Sequence, residues 1–296
     1  MSVADLYPHR TCFFTTDSAN QKAKFISNLN KTFGSGGGFT CAFSDTELVR
    51  FLQFLKADSE SIPVSKGSTI IGMQPNSSVW VLNETTQISD DGSLIPPDGG
   101  SYTWTPTCIA ANCDKVCLAE LVPTISPELD VQPLEHLVNL LEQNCKHNFI
   151  SALLVLGGAV MSCHYQTIVQ QFGGFPIVLA VGPTETGKST AIKAALSLFG
   201  MTKAGFYVDG SNAYFMERSA LSCLPYGIDE GTTDKQLDLV KLIIALNGGA
   251  KTANLRRGAF RPLSVPIIAT NFMLKNDPRC VVRLHVHLYV YCVLAT

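Results

Sequence analysis

The hydrophobic pattern in the second half of the chain repeats a strand followed by a helix. Three short apolar runs, at residues 175–181, 224–230 and 264–271, have the length and composition of buried strands. The segments 190–199 and 234–247, which follow the first two runs, place apolar residues with the period of a helix. This alternation predicts the α/β class, with a parallel sheet covered by helices.

The first half of the chain has shorter and less regular elements. Helical spacing of apolar residues occurs at 19–33 and 46–56, and Ser44 with Glu47 forms a capping box before the second helix. Between residues 66 and 104, short strand-forming runs are separated by turn residues, which predicts a β-rich part. Together these patterns predict a small α+β module.

Two helical patterns connect the halves. Residues 134–146 have amphipathic spacing, and residues 149–166 are more uniformly apolar. Both precede the first strand of the predicted parallel sheet. We therefore predict an N-terminal module over residues 1–125 and an α/β domain over residues 126–296, with a helical lead-in at 134–166.

Composition is typical of a globular intracellular protein. The chain has 296 residues, of which 46% are apolar and 16% charged, and its net charge is −2, so any nucleic-acid surface must be local. The first ten residues lack a secretory signal, and the apolar stretch 149–161 is too short to span a bilayer. Ten cysteines without a signal predict reduced thiols, and the spacing of Cys108, Cys113 and Cys117 does not favour zinc. We expect a cytoplasmic or nuclear protein with no membrane contact.

Residues 182–189, GPTETGKS, fit the phosphate-binding P-loop pattern G-x-x-x-x-G-K-[ST]. Gly182 and Gly187 allow the loop to turn sharply, so that its backbone N–H groups and the following helix form an anion cradle. Lys188 would reach the β- and γ-phosphates of ATP, and the Ser189 hydroxyl would bind Mg²⁺. The residues predicted to contact the nucleotide are Gly182, Pro183, Thr184, Glu185, Thr186, Gly187, Lys188, Ser189 and Thr190.

Polar side chains end the other two predicted strands of the sheet. Asp229 and Glu230 end the strand 224–230, where Asp229 would hold Mg²⁺ and Glu230 would activate the attacking water. Asn271 ends the strand 264–271, where its amide can contact the water or the γ-phosphate; a strand-end turn is the alternative. We predict a P-loop NTPase core of three layers, in which Glu230 and Asn271 are catalytic.

The segment between the last helix and the last of these strands is locally basic. No Asp or Glu occurs from residue 239 to 276, and Phe260 lies among the cations. The predicted nucleic-acid contacts are Lys251, Arg256, Arg257 and Arg261. The alternatives are an arginine supplied to the nucleotide of a neighbouring subunit, or a solvated loop.

Taken together, the motifs GPTETGKS, IDE, NGGAKTANLRRGAFRP and PIIATN resemble the helicase-like AAA+ ATPase domains of phages, plasmids, viruses and mobile elements, which are related to superfamily-three helicases. The resemblance covers about residues 132–276. It implies rings that hydrolyse ATP between subunits, with a basic hairpin that grips single-stranded DNA. Lys251, Arg256 and Arg257 fall in the hairpin region.

Two features depart from the family pattern. Pro225 and Gly227 interrupt the strand that carries Asp229, and the chain ends about 25 residues after Asn271, with a strand-like tail at 280–291 in place of a helical lid. A metal pair formed by His285 and His287 in this tail is not favoured. We therefore expect a C-terminally truncated ATP hydrolase that hydrolyses ATP slowly.

Three functions remain open at this point. The first is an ATP- and Mg²⁺-dependent helicase-like ATPase that acts on nucleic acid, single-stranded DNA above all, as a homo-oligomeric ring. The second is a nucleotide-dependent switch or scaffold with little turnover. A small-molecule kinase would need a substrate pocket and an arginine-rich lid, which the sequence does not show.

Overall fold

The computed structural model describes thirteen stretches of the chain. They are residues 21–33, 42–57, 66–68, 70–96, 102–104, 121–125, 132–201, 205–208, 210–230, 236–249, 252–254, 258–271 and 291–293. The chain divides into two compact units, Met1–Gly67 and Ser68–Thr296. This division differs from the predicted boundary at residue 125, because nearly all of the β-rich part belongs to the second unit.

The described residues of the first unit form two helices and a short strand: α1 (Lys22–Phe33), α2 (Asp45–Ala57) and β1 (Lys66–Gly67). The predicted capping box is confirmed, since the Ser44 N–H donates to Glu47 Oε2 at 2.8 Å and the Glu47 N–H donates to Ser44 Oγ at 3.3 Å. These bonds satisfy N–H groups that have no partner within the helix, so they stabilise the start of α2.

The second unit opens with an antiparallel sheet of two-residue strands in the order β2-β3-β4-β5. The strands are β2 (Gly72–Met73), β3 (Trp80–Val81), β4 (Gln87–Ile88) and β5 (Leu94–Ile95), and β6 (Tyr102–Thr103) follows them along the chain. Three helices come next: α3 (Gln132–Cys145), α4 (Phe149–Ser162) and α5 (Tyr165–Phe172). A single turn of 3₁₀ helix, Lys146–Asn148, joins α3 to α4.

The main sheet has five parallel strands in the order β13-β7-β12-β9-β8. Its strands are β7 (Leu179–Val181), β8 (Phe206–Tyr207), β9 (Tyr226–Glu230), β12 (Pro266–Thr270) and β13 (Tyr291–Val293). The helices between them are α6 (Lys188–Ser197), α7 (Asn212–Ser219) and α8 (Gln236–Asn247), and a hairpin of β10 (Thr252–Asn254) and β11 (Gly258–Phe260) precedes β12. The predicted α/β class with a parallel sheet is confirmed.

Helices cover both faces of this sheet, which gives three layers. Alternate strand residues point to opposite faces, so Ala180 and Ala269 pack on one side with α4 and α6. Leu179 and Ile268 pack on the other side with α5, α7 and α8. The small residues on the first side allow α6, which begins at the predicted P-loop, to lie close to the sheet.

Gly227 is part of this close packing and does not break β9. A Cβ atom at Gly227 would lie 2.6 Å from Ile192 Cγ2 on α6 and 2.6 Å from Phe206 Cδ2 on β8. Pro225 comes just before the first paired residue, Tyr226, so it removes no ladder hydrogen bond. The two residues that depart from the family pattern are therefore compatible with a full five-residue strand.

Backbone hydrogen bonds join the antiparallel sheet to the chain just before β9. The Ile71 N–H donates to the Leu221 carbonyl at 3.0 Å, and the Cys223 N–H donates to the Ile71 carbonyl at 2.8 Å. Gly72 has a φ of 112°, and a Cβ there would lie 2.6 Å from Cys223 Cβ. Burial raises the pKa of the Cys223 thiol to about 11, so this cysteine is a core residue and not a reactive one.

Helices α3 and α4 form one helical stretch, Gln132–Ser162, of 31 residues. By length and composition alone it could cross a membrane, although 28% of its apolar window is buried inside the protein. The sequence patterns predict both helices, at 134–146 and 149–166, but the expectation about membrane spans concerns the stretch 149–161 alone. One face of α4, with Ala152, Val155 and Ala159, packs in the core beside the main sheet, as expected for a core helix.

Candidate functional site

The three polar strand ends identified in the sequence lie side by side at the carboxyl edge of the main sheet. Strand β12 pairs with β7 on one side and β9 on the other, with Thr270 opposite both Val181 and Glu230. The Gly182 N–H donates to the Thr270 carbonyl at 3.3 Å, which joins the start of the loop to the end of β12. Ligands of open parallel sheets bind at this edge.

The loop between β7 and α6 turns through two residues in the left-handed region. Glu185 has a φ of 66° and Gly187 a φ of 88°. Left-handed backbone costs a residue with a side chain about 1–2 kcal/mol, so Glu185 is held there by its surroundings. The Thr186 Oγ1 donates to the Pro183 carbonyl at 2.9 Å, a bond that closes the loop on itself.

The start of α6 has the features of an anion cradle. Its N-cap residue is Gly187, which provides no side-chain cap, so the first-turn N–H groups can donate to a ligand. A Cβ atom at Gly187 would meet nothing within 4 Å, which leaves room for an approaching phosphate. Pro183, Thr184 and Glu185 are exposed on this loop.

Lys188 is buried within the loop, with only 6% of its surface exposed. Its Nζ donates to the Gly182 carbonyl at 2.8 Å and also to the Pro183 carbonyl. Burial lowers the pKa of Lys188 below its usual value of 10.5, while the negative charge of Asp229 acts in the opposite direction. The ammonium group therefore lies in a poorly solvated position next to the anion cradle.

Ser189 and Asp229 meet directly. The Ser189 Oγ donates to Asp229 Oδ2 at 2.8 Å, across the interface between α6 and β9. A hydroxyl and a carboxylate oxygen are the hard ligands that Mg²⁺ prefers, and Mg²⁺ sites formed by one carboxylate with substrate phosphates are common. The donor set therefore fits the predicted cation.

For the remaining predicted residues at this edge, the strands and the helix that contain them give their positions. Glu230 is the last residue of β9, directly after Asp229, but its side chain lies outside the described part. Asn271 follows the last residue of β12 and is exposed. Thr190 lies in the first turn of α6. The sheet thus gathers all three predicted strand ends, while the roles of Glu230 and Asn271 stay predictions.

The basic segment lies elsewhere in the fold. Its strands form the antiparallel hairpin β10–β11, with Thr252 opposite Phe260. Lys251, Arg256 and Arg257 lie outside the described residues, whereas Arg261 is exposed directly after β11. Arg261 lines a groove with residues of α5 and with Pro262, which leads to the start of β12. Because parallel strands begin at the edge opposite their ends, Arg261 is separated from the loop between β7 and α6 of its own chain by the length of β12.

The sequence interpretation missed the boundary between α4 and α5. It predicted one helix over 149–166, but α4 ends at Ser162 and α5 begins at Tyr165. The Tyr165 hydroxyl is buried and donates to the Leu246 carbonyl at the end of α8. Gln166 and Gln170, spaced by one helical turn, are the sequence signal that α5 has a polar face.

Other metal sites find no support in the described part of the chain. Within it, no group of three or more His, Cys, Asp or Glu side chains could hold a metal ion. Cys108, Cys113 and Cys117 lie outside the described residues, as do His285 and His287. Of the tail predicted as a strand at 280–291, only Tyr291 is described, as the first residue of β13.

Comparisons with known proteins point to the fold. No family model matches the sequence, and no curated protein matches it. Among solved structures, the chain is similar to one named "SCCmec type IV Cch - active helicase", with a TM-score of 0.53 and 12% sequence identity. The similarity covers 88% of this chain and 45% of that chain, so this chain spans less than half the length of the helicase it matches. At this identity the likeness concerns the fold, which is helicase-like and α/β.

Proposed function

We propose that this chain is an ATP- and Mg²⁺-dependent ATPase of the helicase-like class that acts on nucleic acid. The observation that carries the proposal is the 2.8 Å hydrogen bond between Ser189 Oγ and Asp229 Oδ2. It joins the last residue of the GPTETGKS loop to the acidic end of β9. The two residues are 40 positions apart in the sequence, so the fold and not a local interaction brings them together. Mg-ATP binding requires these oxygens to converge.

The chain's own residues suggest how the site would work. Mg-ATP, when bound, supplies the phosphoanhydride to be cleaved and the cation that shields its charge. The loop N–H groups and the start of α6 would hold the phosphates, and Lys188 would exchange its bonds to the loop carbonyls for phosphate oxygens. Ser189 and Asp229 would hold the cation, Glu230 would take a proton from the attacking water, and Asn271 would orient that water.

Two single substitutions test the ATPase assignment. Lys188→Ala should abolish both ATP binding and turnover, because it removes the cation that pairs with the phosphates. Glu230→Gln should keep ATP binding and reduce turnover by about 10²–10⁴-fold, the usual contribution of a general base. The measurements are phosphate release and the Kd for ATP in Mg²⁺. If both variants turn over ATP as fast as the wild type, the site is wrongly assigned.

The nucleic-acid part of the proposal has a separate test. The segment from residue 239 to 276 has no acidic residue and includes the β10–β11 hairpin. Single-stranded DNA should therefore bind in a salt-sensitive manner and stimulate turnover, and the triple substitution of Lys251, Arg256 and Arg257 by Ala should remove both effects. A ring would appear as a larger species in sedimentation when nucleotide and DNA are present. ATP binding with negligible turnover, unaffected by DNA, would instead support a nucleotide-dependent switch or scaffold.

A further inference from the structure

The Pro183 carbonyl accepts two hydrogen bonds from side chains of its own loop. The Thr186 Oγ1 donates to it at 2.9 Å, and the Lys188 Nζ donates to the same oxygen. A carbonyl oxygen has two lone pairs, so these two donors use its full capacity. One of the donors belongs to the residue that is predicted to contact the phosphates of ATP, and the other is a hydroxyl with no role assigned so far.

Lys188 has to give up a bond within the loop before it can pair with a phosphate. Two of its three N–H groups donate to the loop, to the Pro183 carbonyl and, at 2.8 Å, to the Gly182 carbonyl. The bond to Pro183 is the easier one to give up, because Pro183 is exposed whereas Gly182 is buried. The transfer of Lys188 to a phosphate therefore leaves the Pro183 carbonyl with one donor fewer.

The Thr186 hydroxyl is the donor that stays on this carbonyl. Its bond spans the turn that contains Glu185, which has a φ of 66°, a backbone conformation that is unfavourable for a residue with a side chain. The left-handed Gly187, the N-cap residue of α6, follows Thr186 directly. The bond thus holds the turn that leads into the anion cradle, with or without Lys188.

This geometry gives Thr186 a different role from a direct contact with the nucleotide. A hydroxyl has one hydrogen to donate, and Thr186 uses it on Pro183. It therefore has no donor left for a phosphate oxygen. The sequence pattern allows any residue at this position, so it contains no information about the hydroxyl.

We propose that Thr186 is a positioning residue that strengthens the binding of Mg-ATP by holding the Pro183 carbonyl while Lys188 transfers to the phosphates. A side chain without a hydroxyl leaves that carbonyl to Lys188 alone, so the transfer breaks a bond that nothing in the loop replaces. Serine can take the place of threonine, since its Oγ has the same donor at the same branch of the side chain. The inference rests on the proposed ATPase function and assigns a role to one residue of that site.

The test compares Thr186→Val with Thr186→Ser in the full-length protein. Valine has a shape similar to that of threonine and lacks the hydroxyl. Thr186→Val should raise both the KM for ATP and the Kd for Mg-ATP about 2- to 13-fold, the effect of one lost hydrogen bond, and leave kcat unchanged. Thr186→Ser should match the wild type. Calorimetry gives the Kd, and phosphate release in excess Mg²⁺ gives KM and kcat.

The split between KM and kcat separates positioning from a general loss of structure. A smaller folded fraction lowers the apparent kcat and leaves KM unchanged, because the molecules that remain folded bind ATP as before. A matched control is Thr85→Val, which removes a threonine hydroxyl that donates to Asn83 Oδ1 at 3.2 Å in a turn of the antiparallel sheet. It should leave KM, kcat and the Kd unchanged.

The outcomes distinguish this inference from the function beneath it. If the wild type does not bind Mg-ATP, the proposed ATPase function fails, and the role of Thr186 with it. If the wild type binds and Thr186→Val binds equally well, or loses kcat at constant KM, the function stands and the positioning role is overturned. Loss of binding in Thr186→Val as complete as in Lys188→Ala would show that the hydroxyl contacts the phosphates itself, which also overturns the proposal.

Discussion

Lys188 is held by the carbonyl oxygens of its own loop, in a position with little access to water. Because burial lowers its pKa below 10.5, it loses its proton at a lower pH than a lysine in the unfolded chain. Between the pKa of Lys188 in the folded protein and its pKa in the unfolded chain, the unfolded state binds more protons than the folded state. Lys188 therefore makes the free energy of unfolding rise as pH rises through this interval. A bound phosphate would act in the opposite direction and raise the pKa of Lys188, because its negative charge stabilises the ammonium form.

We predict that the affinity for ATP falls as pH rises toward 10.5, beginning below that value. The Kd for ATP, measured by calorimetry from about pH 7 to about pH 10, checks this, and binding should take up protons in the upper part of that range. The control is Lys188→Arg, because a guanidinium stays protonated throughout and should give a flatter profile. Identical profiles for the two proteins would show that Lys188 does not set the pH dependence.

At the scale of residues, the pattern GPTETGKS predicts a turn followed by a helix, and α6 begins at Lys188 within that pattern. Asp229 is not part of the pattern, and its position was predicted from the end of the apolar run 224–230. The partners of Lys188 could not be predicted, since they are backbone carbonyls whose positions depend on the turn. The left-handed backbone of Glu185 could not be predicted either, because the motif allows any residue at this position. Arg261 has the charge expected of a nucleic-acid contact, but only the fold shows that it lies next to α5.

At the scale of elements, two neighbouring glycines in α4 have opposite surroundings. A Cβ at Gly158 would lie 2.2 Å from Val178 Cγ2, in the core beside β7, whereas a Cβ at Gly157 would meet nothing within 4 Å. Val178 is β-branched and 2% exposed, so it cannot turn away easily. The contact between α4 and the main sheet thus depends on one glycine of the pair.

We predict that Gly158→Ala lowers the free energy of unfolding by about 1–3 kcal/mol, the usual cost of adding a methyl group to a packed core. Gly157→Ala, the matched control, should raise it by about 0.5–1 kcal/mol because alanine is the better helix former. Urea denaturation with an unchanged m-value measures both. Equal effects of the two substitutions would show that α4 does not lie against Val178 in solution.

The elements that could be predicted are those whose pattern agrees with their environment, such as α2 with its capping box and the buried strand β12. The boundary between α4 and α5 after Ser162 could not be predicted. No Gly or Pro marks it in the sequence, and the bond from Tyr165 to the end of α8 is a tertiary contact. The sequence also did not predict that β9 continues through Gly227, because the contact that requires glycine there is likewise a tertiary one. Gly227 weakens an isolated strand but is needed where α6 approaches within contact distance.

At the scale of the whole molecule, the predicted boundary at residue 125 separates the β-rich part from the two helical patterns that lead into the main sheet. Contacts within the chain group Ser68–Thr296 into one unit, and within that unit Ile71 pairs with Ser222, in the segment that leads into β9. Such pairing between distant segments leaves no local signal in the sequence. The antiparallel sheet is therefore attached to the strand that carries Asp229, and changes at Ile71 bear on the same unit as the candidate site.

The long helical stretch Gln132–Ser162 raises the question of membrane contact for the molecule as a whole. The exposed side of α4 carries Ile150 and Leu154, while its other side packs in the core beside the main sheet. Insertion of α4 into a bilayer would expose that core to lipid and separate α4 from the elements it packs on. The free energy of that packing opposes insertion of α4 into a bilayer.

We predict that the full chain does not float with phosphatidylcholine vesicles in a density gradient, and that Ile150→Ser with Leu154→Ser does not change its position. A chain that floats and is released by the double substitution would show that the exposed side of α4 contacts lipid, contrary to the prediction. A chain that floats whether or not those residues are replaced would place the membrane contact outside α4. Sedimentation of the wild type without vesicles provides the reference, since loss of two apolar side chains can also alter association between copies of the protein.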